Sequence, residues 1–307
     1  MHDDFAAVHA TAPQTTSPIA FISRHNGAHW LASLSAAMPN ERIVGDDQLT
    51  DAQAAAVQIA IVADPAPLPL SRYRNLLWMH SVWAGVERLL PVIAERNIPL
   101  VRLIDPALTH TMSEAVLAWT LYLHRDMPAY AAQQRQRLWK QQTYTPTGEL
   151  TVGLLGLGEL GGAAAARLLG AGYRVCGWSQ SAKQIDGVTS HVGIDGLQSV
   201  LEQSSILVVL LPLTPLTRNL LNIERIAMMP KCASLINFAR GAVVDNTTLL
   251  AALDAGALSH AVLDVFEHEP LSSESALWLH PRVTVLPHIS APTNRTSAAK
   301  IVAENVV

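Results

Sequence analysis

The run TVGLLGLGELGG spaces Gly156, Gly158 and Gly161 as G-x-G-x-x-G, directly after an apolar stretch and directly before AAAARLLGAG, a segment of good helix formers. The first glycine permits a tight turn, the second lets backbone approach a pyrophosphate, and the third lets helix and strand pack closely. Glu159 and Leu160 then open the helix, whose free N–H groups and positive dipole end suit an anion. The pattern alone is weak, but with both flanks right it reads as a nucleotide site.

About one strand, turn and helix later comes YRVCGWSQSAK, Tyr173 to Lys183. An NAD site expects an acid near the end of this strand to hold the ribose 2′-hydroxyl. The chain offers Ser179, Gln180 and Ser181 instead, with Lys183 within reach. Either the glycine run binds no nucleotide, or the cofactor carries a group at the 2′ position that an acid would repel. Neutral hydrogen bonders with one lysine accept a 2′-phosphate without a bidentate arginine clamp, so the preference expected is a modest one for NADP, with NAD also accepted.

Reaction chemistry needs polar groups at the ends of later strands. Arg240 follows an apolar run in INFARGAVVD, at the carboxyl end where open α/β sheets bind ligands, although taken by itself it would be read as a loop arginine on the surface. LDVFEHEP and VLPHIS add Asp264, Glu267, Glu269 and His288. A lone histidine before ISAP is more often structural. With an acid to orient it, it becomes one half of an acid/base pair.

The elements that must position these residues are legible as alternating periods. From Pro18 to Pro106, IAFIS, QIAIVA, NLLWMHS and IPLVRL read as buried parallel strands of a small α/β domain. TMSEAVLAWTLYLHR switches to helical spacing, with a capping box expected at Thr111 and Glu114, an apolar face of Met112, Val116, Trp119, Leu123 and Met127, and an end or kink at Pro128. An exposed arm around Trp139 follows. Six strands, TVGLLG, YRVCGW, SILVVLL, ASLINFA, HAVLDVF and VTVLPHI, then alternate with helix-length segments, as a doubly wound parallel sheet requires. The closing TSAAKIVAENVV is a helical pattern that can return to the first domain.

Composition agrees with two domains. The 307 residues are 50% hydrophobic and 15% charged, enough apolar material for two cores. A net charge of −4 without a Lys/Arg run argues against nucleic acid. The start, MHDDFAAVHATAPQTTSP, carries acids where a signal peptide wants bases, and ILVVLLPL is too short to span a bilayer. No membrane partner is expected. Cys176 and Cys232 have no metal-like spacing and read as buried thiols in a reducing cytoplasm, so no metal site is expected.

The segments SVWAGVERLL, MSEAVLAWTLYLHR, TVGLLGLGELG, LLPLTPLTRNLLN, NFARGAVVD, LDVFEHEPL and LWLHPRVTVLPHIS, in that order, resemble the D-isomer-specific 2-hydroxyacid dehydrogenases, and particularly their glyoxylate/hydroxypyruvate reductase branch. The resemblance implies a Rossmann-type sheet plus a smaller flavodoxin-like substrate domain. The expected division is a leader at 1–17, substrate domain at 18–107, dinucleotide domain at 108–289 and returning helix at 290–307. It implies catalytic roles for Arg240, Glu269 and His288, and a substrate-carboxylate loop at Trp83, Ala84 and Gly85, where a glycine opening a helix would expose N–H groups. Pro212 and Asp264 fall on the cofactor-lining positions, and the helix with its arm on the dimerisation region, which implies a cytoplasmic homodimer. Gln180 departs from the branch, which has an arginine there. Asp64 in VADPAP departs where the branch has an aromatic residue and a histidine.

The activity expected is NAD(P)H-dependent reduction of a small 2-oxo acid to the 2-hydroxy acid. Two alternatives stand beside it: a nucleotide-sensing, corepressor-like binding protein of the same fold, and the same enzyme class acting on a phosphorylated or longer 2-oxo acid.

Overall fold

The computed structural model describes residues 17–24, 27–63 and 70–307; the leader up to residue 16 and Asp64 lie outside the described residues. Two compact units emerge, one of residues up to Asp105 with Thr293–Val307, the other of Pro106–Pro292. In chain order the first unit holds β1 (Ile19–Ser23), α1 (Gly27–Ala37), β2 (Ile43–Gly45), α2 (Asp51–Ala56), β3 (Ile59–Ala63), β4 (Trp78–Ser81), α3 (Leu90–Ala94) and β5 (Leu100–Val101). The second holds α4 (Pro106–His124), α5 (Met127–Gln136), β6 (Thr151–Leu155), α6 (Glu159–Gly170), β7 (Arg174–Trp178), β8 (Val188–His191), α7 (Gly193–Gln203), β9 (Ile206–Val209), α8 (Ile223–Ile226), β10 (Ala233–Asn237), α9 (Asn246–Asp254), β11 (Leu258–Leu263) and β12 (Val283–Val285). The last helix, α10 (Arg295–Val306), belongs to the first unit and packs on α1 through Ala298, Ala299 and Val302.

The first unit is a five-stranded parallel sheet in the order β2-β1-β3-β4-β5, the flavodoxin-like order. The second is a seven-stranded parallel sheet, β12-β11-β10-β9-β6-β7-β8, a Rossmann order extended by one strand. Period-two alternation divides its strand residues between two cores. Leu207, Val209, Leu235 and Leu263 face α7 and α9, while Ile206, Val208, Ile236 and Val262 face α4 and α6. Each such side chain, fully buried, contributes roughly 1.5–3 kcal/mol, which makes this sheet the rigid platform for whatever its strand ends carry. The order reverses between β6 and β9, and open sheets of this kind bind ligands beyond the carboxyl ends of the strands beside that reversal.

Several local expectations are corrected. Strands β2 and β8 are additional to the expected ones: both are edge strands, the β2 sequence IVG is only three residues long, and the β8 sequence VTSH is mostly polar and only partly buried. Helix α4 begins at Pro106, whose fixed φ suits a first helical position, so Thr111 is interior and forms no capping box. Its hydroxyl donates to the Ala107 carbonyl (3.0 Å), and Glu114 pairs with His110 (3.2 Å). The helix ends at His124, short of Pro128, and the chain reverses at Asp126 (φ 53°). Met127 consequently leaves the apolar face and is exposed. Cys176 is buried but Cys232 is exposed, since its left-handed turn (φ 63°) lies outside the start of β10.

Candidate active site

In the second unit the sequence-predicted residues all follow strand ends: the glycines after β6, Ser179 after β7, Pro212 after β9, Arg240 after β10, Asp264 after β11 and His288 after β12. Parallel strands point these ends the same way, so residues up to 132 positions apart in sequence share one edge of the sheet, from Gly156 to His288.

The three glycines are required for different reasons. Gly156 sits at φ +108°, and a Cβ there would lie 2.8 Å from the Leu210 carbonyl oxygen. A Cβ on Gly161 would lie 1.8 Å from the Gly156 carbonyl oxygen. Both glycines serve packing between the turn, α6 and the sheet. At Gly158 a Cβ would meet nothing within 4 Å, so protein packing does not demand glycine there. The exposed Gly158 also caps α6 without a side-chain hydrogen bond, leaving the first-turn N–H groups at Glu159 and Leu160 for a ligand. A second observation fits a cofactor: the Ser290 hydroxyl, on a residue 6% exposed, has no hydrogen-bond partner among the described residues.

The loop after β7 divides into an inner and an outer part. Ser179 is buried, and its hydroxyl donates to the Ser181 carbonyl (2.7 Å). Gln180, Ser181 and Lys183 are exposed and remain the groups free to meet a 2′ substituent. Pro212 is exposed, and the buried Thr217 braces it. The Thr217 hydroxyl donates to the Pro212 carbonyl (2.6 Å) and accepts from the Thr214 N–H (2.8 Å).

His288 and Glu269 meet: His288 Nδ1 is 2.8 Å from Glu269 Oε2. Glu269 Oε1 accepts the Phe266 N–H at 2.9 Å, so the carboxylate is held from both sides. The hydrogen bond to Glu269 raises the His288 pKa above the ordinary histidine value; burial opposes it, and the charges of Glu269 and Asp264 add to the rise against that of Arg240. Burial alone would raise Glu269, yet the bonds from His288 and Phe266, with the charges of His288 and Arg240, hold its pKa below the usual value. With Nδ1–H committed to Glu269, Nε2 is the nitrogen whose proton can be transferred.

Asp264 lies deeper than a groove-lining acid. It is 2% exposed, and its Oδ1 and Oδ2 accept the N–H groups of Ile289 (2.7 Å) and Ser290 (2.9 Å). His288 itself sits at φ +56°, a left-handed conformation uncommon for histidine. Glu267, the remaining acid of this stretch, pairs with Arg218 on the surface (3.3 Å). Arg240 is half-buried, and its guanidinium donates to the Ala239 carbonyl (2.6 Å).

In the first unit, Trp83 and Ala84 lie in a bend after β4, Gly85 follows it, and all three are half-buried. Gly85 opens no helix; a turn intervenes and α3 starts at Leu90, with Pro91 in its first turn. The Trp83 N–H bonds the Ser81 hydroxyl (3.1 Å), which leaves the N–H groups of Ala84 and Gly85 as the anion candidates. The bracing residues Ser81, Thr217 and Asn237 were not singled out from sequence. The available signal was a polar residue at an otherwise apolar strand end or in a loop flanking one.

Comparison with known proteins adds four findings. The family described as D-isomer specific 2-hydroxyacid dehydrogenase, NAD binding domain, matches residues 117–290. The chain is 36% identical over 291 residues to glyoxylate/hydroxypyruvate reductase A of Salmonella heidelberg, covering 92% of this chain and 91% of that protein. Among solved structures it is similar to a D-isomer specific 2-hydroxyacid dehydrogenase from Xanthobacter autotrophicus Py2 in complex with NADPH and MES (TM-score 0.88, 37% identity, 94% and 93% of the two chains). It is also similar to the NADPH-dependent glyoxylate/hydroxypyruvate reductase of Sinorhizobium meliloti in complex with NADP and sulfate (TM-score 0.85, 33% identity, 94% and 92%).

Proposed function

The chain belongs to the D-isomer-specific 2-hydroxyacid dehydrogenase family, and from that premise we propose that it reduces a small 2-oxo acid of the glyoxylate or hydroxypyruvate kind to the 2-hydroxy acid, with NADPH preferred and NADH accepted. The observation that carries the reading is the His288–Glu269 pair, 2.8 Å apart, at the same sheet edge as the glycine turn. The paired histidine and carboxylate support acid/base chemistry over nucleotide sensing alone.

NADPH, when bound, would supply the hydride for the carbonyl carbon. Everything else falls to side chains and backbone of this chain. Gly156, Gly158 and Gly161, with the N–H groups of Glu159 and Leu160, would hold the pyrophosphate. Gln180, Ser181 and Lys183 would meet the 2′-phosphate, with Ser179 shaping their loop, while Pro212 would border the nicotinamide and the buried Asp264 would hold the backbone after His288. The Arg240 guanidinium would pair with the substrate carboxylate and polarise the carbonyl; in the first unit the Ala84 and Gly85 N–H groups, with Trp83 beside them, are the donors suited to an anion. His288 would pass its Nε2 proton to the carbonyl oxygen, and Glu269 would stabilise the imidazolium until that transfer.

We further propose a homodimer working in the cytoplasm. Support comes from the segment after α5, where Leu138, Trp139 and Tyr144 are exposed, Trp139 almost completely at 97%. No described helix is long and apolar enough to cross a membrane.

The test is direct. The purified chain is mixed with NADPH or NADH and a panel of 2-oxo acids that includes phosphorylated and longer members, and the nicotinamide absorbance is followed. Consumption of NADPH with glyoxylate or hydroxypyruvate is expected; failure of every 2-oxo acid to oxidise either cofactor would overturn the reading.

A further inference from the structure

Asn237, the last residue of β10, is 1% exposed in a strand whose other side chains are apolar or small. A buried primary amide must find partners, and this one finds them in the next loop. Its Oδ1 accepts the Ala239 N–H (3.1 Å), and its Nδ2 donates to the Arg240 carbonyl (3.1 Å). The Ala239 carbonyl in turn accepts from Arg240 Nη1 at 2.6 Å. One side chain thus grips the peptide units on both sides of the one whose carbonyl anchors the guanidinium.

The gripped loop is also fixed to the loop that holds the histidine's partner. The Asn237 carbonyl accepts the Asp264 N–H (3.1 Å). A Cβ on Gly241 would lie 2.0 Å from the Phe266 carbonyl carbon and 2.2 Å from the Glu267 nitrogen, so the Arg240–Gly241 backbone lies directly on that peptide. The Phe266 N–H is the group that holds Glu269 Oε1. Downstream, Asp245 caps α9 by accepting the Thr247 N–H (3.0 Å), which fixes the exit of the loop.

We propose that Asn237 is a positioning residue for the reduction, setting where the Arg240 guanidinium stands relative to the His288–Glu269 pair. The proposal rests on the reductase reading above. Asn237 touches neither substrate nor cofactor in this scheme; it acts through Arg240. Misplacing a positioned group by about 1 Å costs up to on the order of 10² in rate, so loss of the grip should be visible in turnover.

The experiment uses the full chain and two substitutions, each also made with Arg240→Ala. Asn237→Asp keeps the shape and the acceptor for Ala239 while removing the donor to Arg240; Asn237→Ala removes both. Steady-state kcat and KM for glyoxylate or hydroxypyruvate are measured beside the NADPH dissociation constant, which reports a folded dinucleotide site. The expected result is a fall in kcat of about ten- to a hundredfold with a raised KM and unchanged NADPH affinity. Adding either substitution to Arg240→Ala should then change kcat/KM no further, because the coupled partner is gone. Equal losses in both backgrounds, or NADPH affinity lost in step with kcat, would make the role merely structural and overturn the proposal. Wild-type kinetics in Asn237→Asp would overturn it as well. A wild type inactive on every 2-oxo acid would overturn the reductase reading and this proposal with it, whereas an active wild type with unaffected variants sinks this proposal alone.

Discussion

Asp264→Asn removes one negative oxygen from a carboxylate that is 2% exposed and bonded to two backbone N–H groups at 2.7 and 2.9 Å. The amide oxygen can keep one of those bonds, but its NH2 must face the other N–H. A hydrogen bond to a charged group is worth about 1.5–3 kcal/mol, and the orphaned N–H adds its own desolvation cost. What the clamp opposes is the left-handed conformation of His288, at φ +56°, which costs an ordinary residue about 1–2 kcal/mol. The loss therefore equals or exceeds the strain being held, and His288 should relax away from Glu269. Turnover with saturating NADPH and 2-oxo acid should fall about ten- to a hundredfold. The alkaline limb of the rate should also move to lower pH, since both the Glu269 bond and the Asp264 charge raise the His288 pKa. Combined with His288→Asn, which places a residue tolerant of left-handed backbone at that position, Asp264→Asn should cause little further loss. Unchanged kcat and pH profile with weakened NADPH binding would refute the reasoning and assign the carboxylate to the cofactor.

Four further outcomes follow from the same geometry. Arg240→Ala should lower kcat/KM by on the order of 10² to 10³ while NADPH affinity, measured by titration, stays as in the wild type. Glu269→Gln should move the alkaline limb of the pH–rate profile to lower pH, because the carboxylate raises the His288 pKa and reduction needs the protonated ring; a limb that stays in place would remove Glu269 from the mechanism. Gln180→Arg should tighten NADPH about ten- to a hundredfold, the equivalent of one charge-assisted bond of roughly 1.5–3 kcal/mol, with little change for NADH, and Ser179→Asp should shift preference towards NADH; strong NADH selectivity in the wild type would show that another group binds the ribose. In denaturant titrations, stability should decline as pH falls from 6.5 towards 4, because burial lowers the His260 pKa from 6.5 to about 4, so the unfolded chain takes up that proton first; His260→Gln should flatten this window.

Fold and site were legible in the sequence to different depths, and the reason is physical. Strands buried on both faces announce themselves as apolar runs, so Ile206–Val209 and Ala233–Asn237 stand out, while the edge strand Ile43–Gly45 is too short to form a run and the edge strand Val188–His191 is mostly polar because it buries little. Gly156 and Gly161 were readable because each answers a steric demand of the fold, and Gly158 because the spacing places it where backbone would approach a pyrophosphate. The Thr111–Glu114 capping box was misread because the pattern is local, and a proline five residues earlier starts the helix better.

The residues that present functional groups and the residues that hold them differ in how they can be found. Arg240 and His288 stand just past strand ends, where the residues by themselves read as a loop arginine and a structural histidine, and the family resemblance is what implies catalytic roles for them and for Glu269. Ser81, Asn237 and Thr217 are ordinary polar residues whose partners are backbone atoms nearby, invisible until the loop is folded. Their only trace in sequence is a polar side chain near an apolar strand end, where desolvation without a partner would cost on the order of 1–3 kcal/mol. That cost makes the trace usable in reverse: a buried amide or hydroxyl at a strand end must be bonded to something, and one or two residues on, the something is the loop that carries the site.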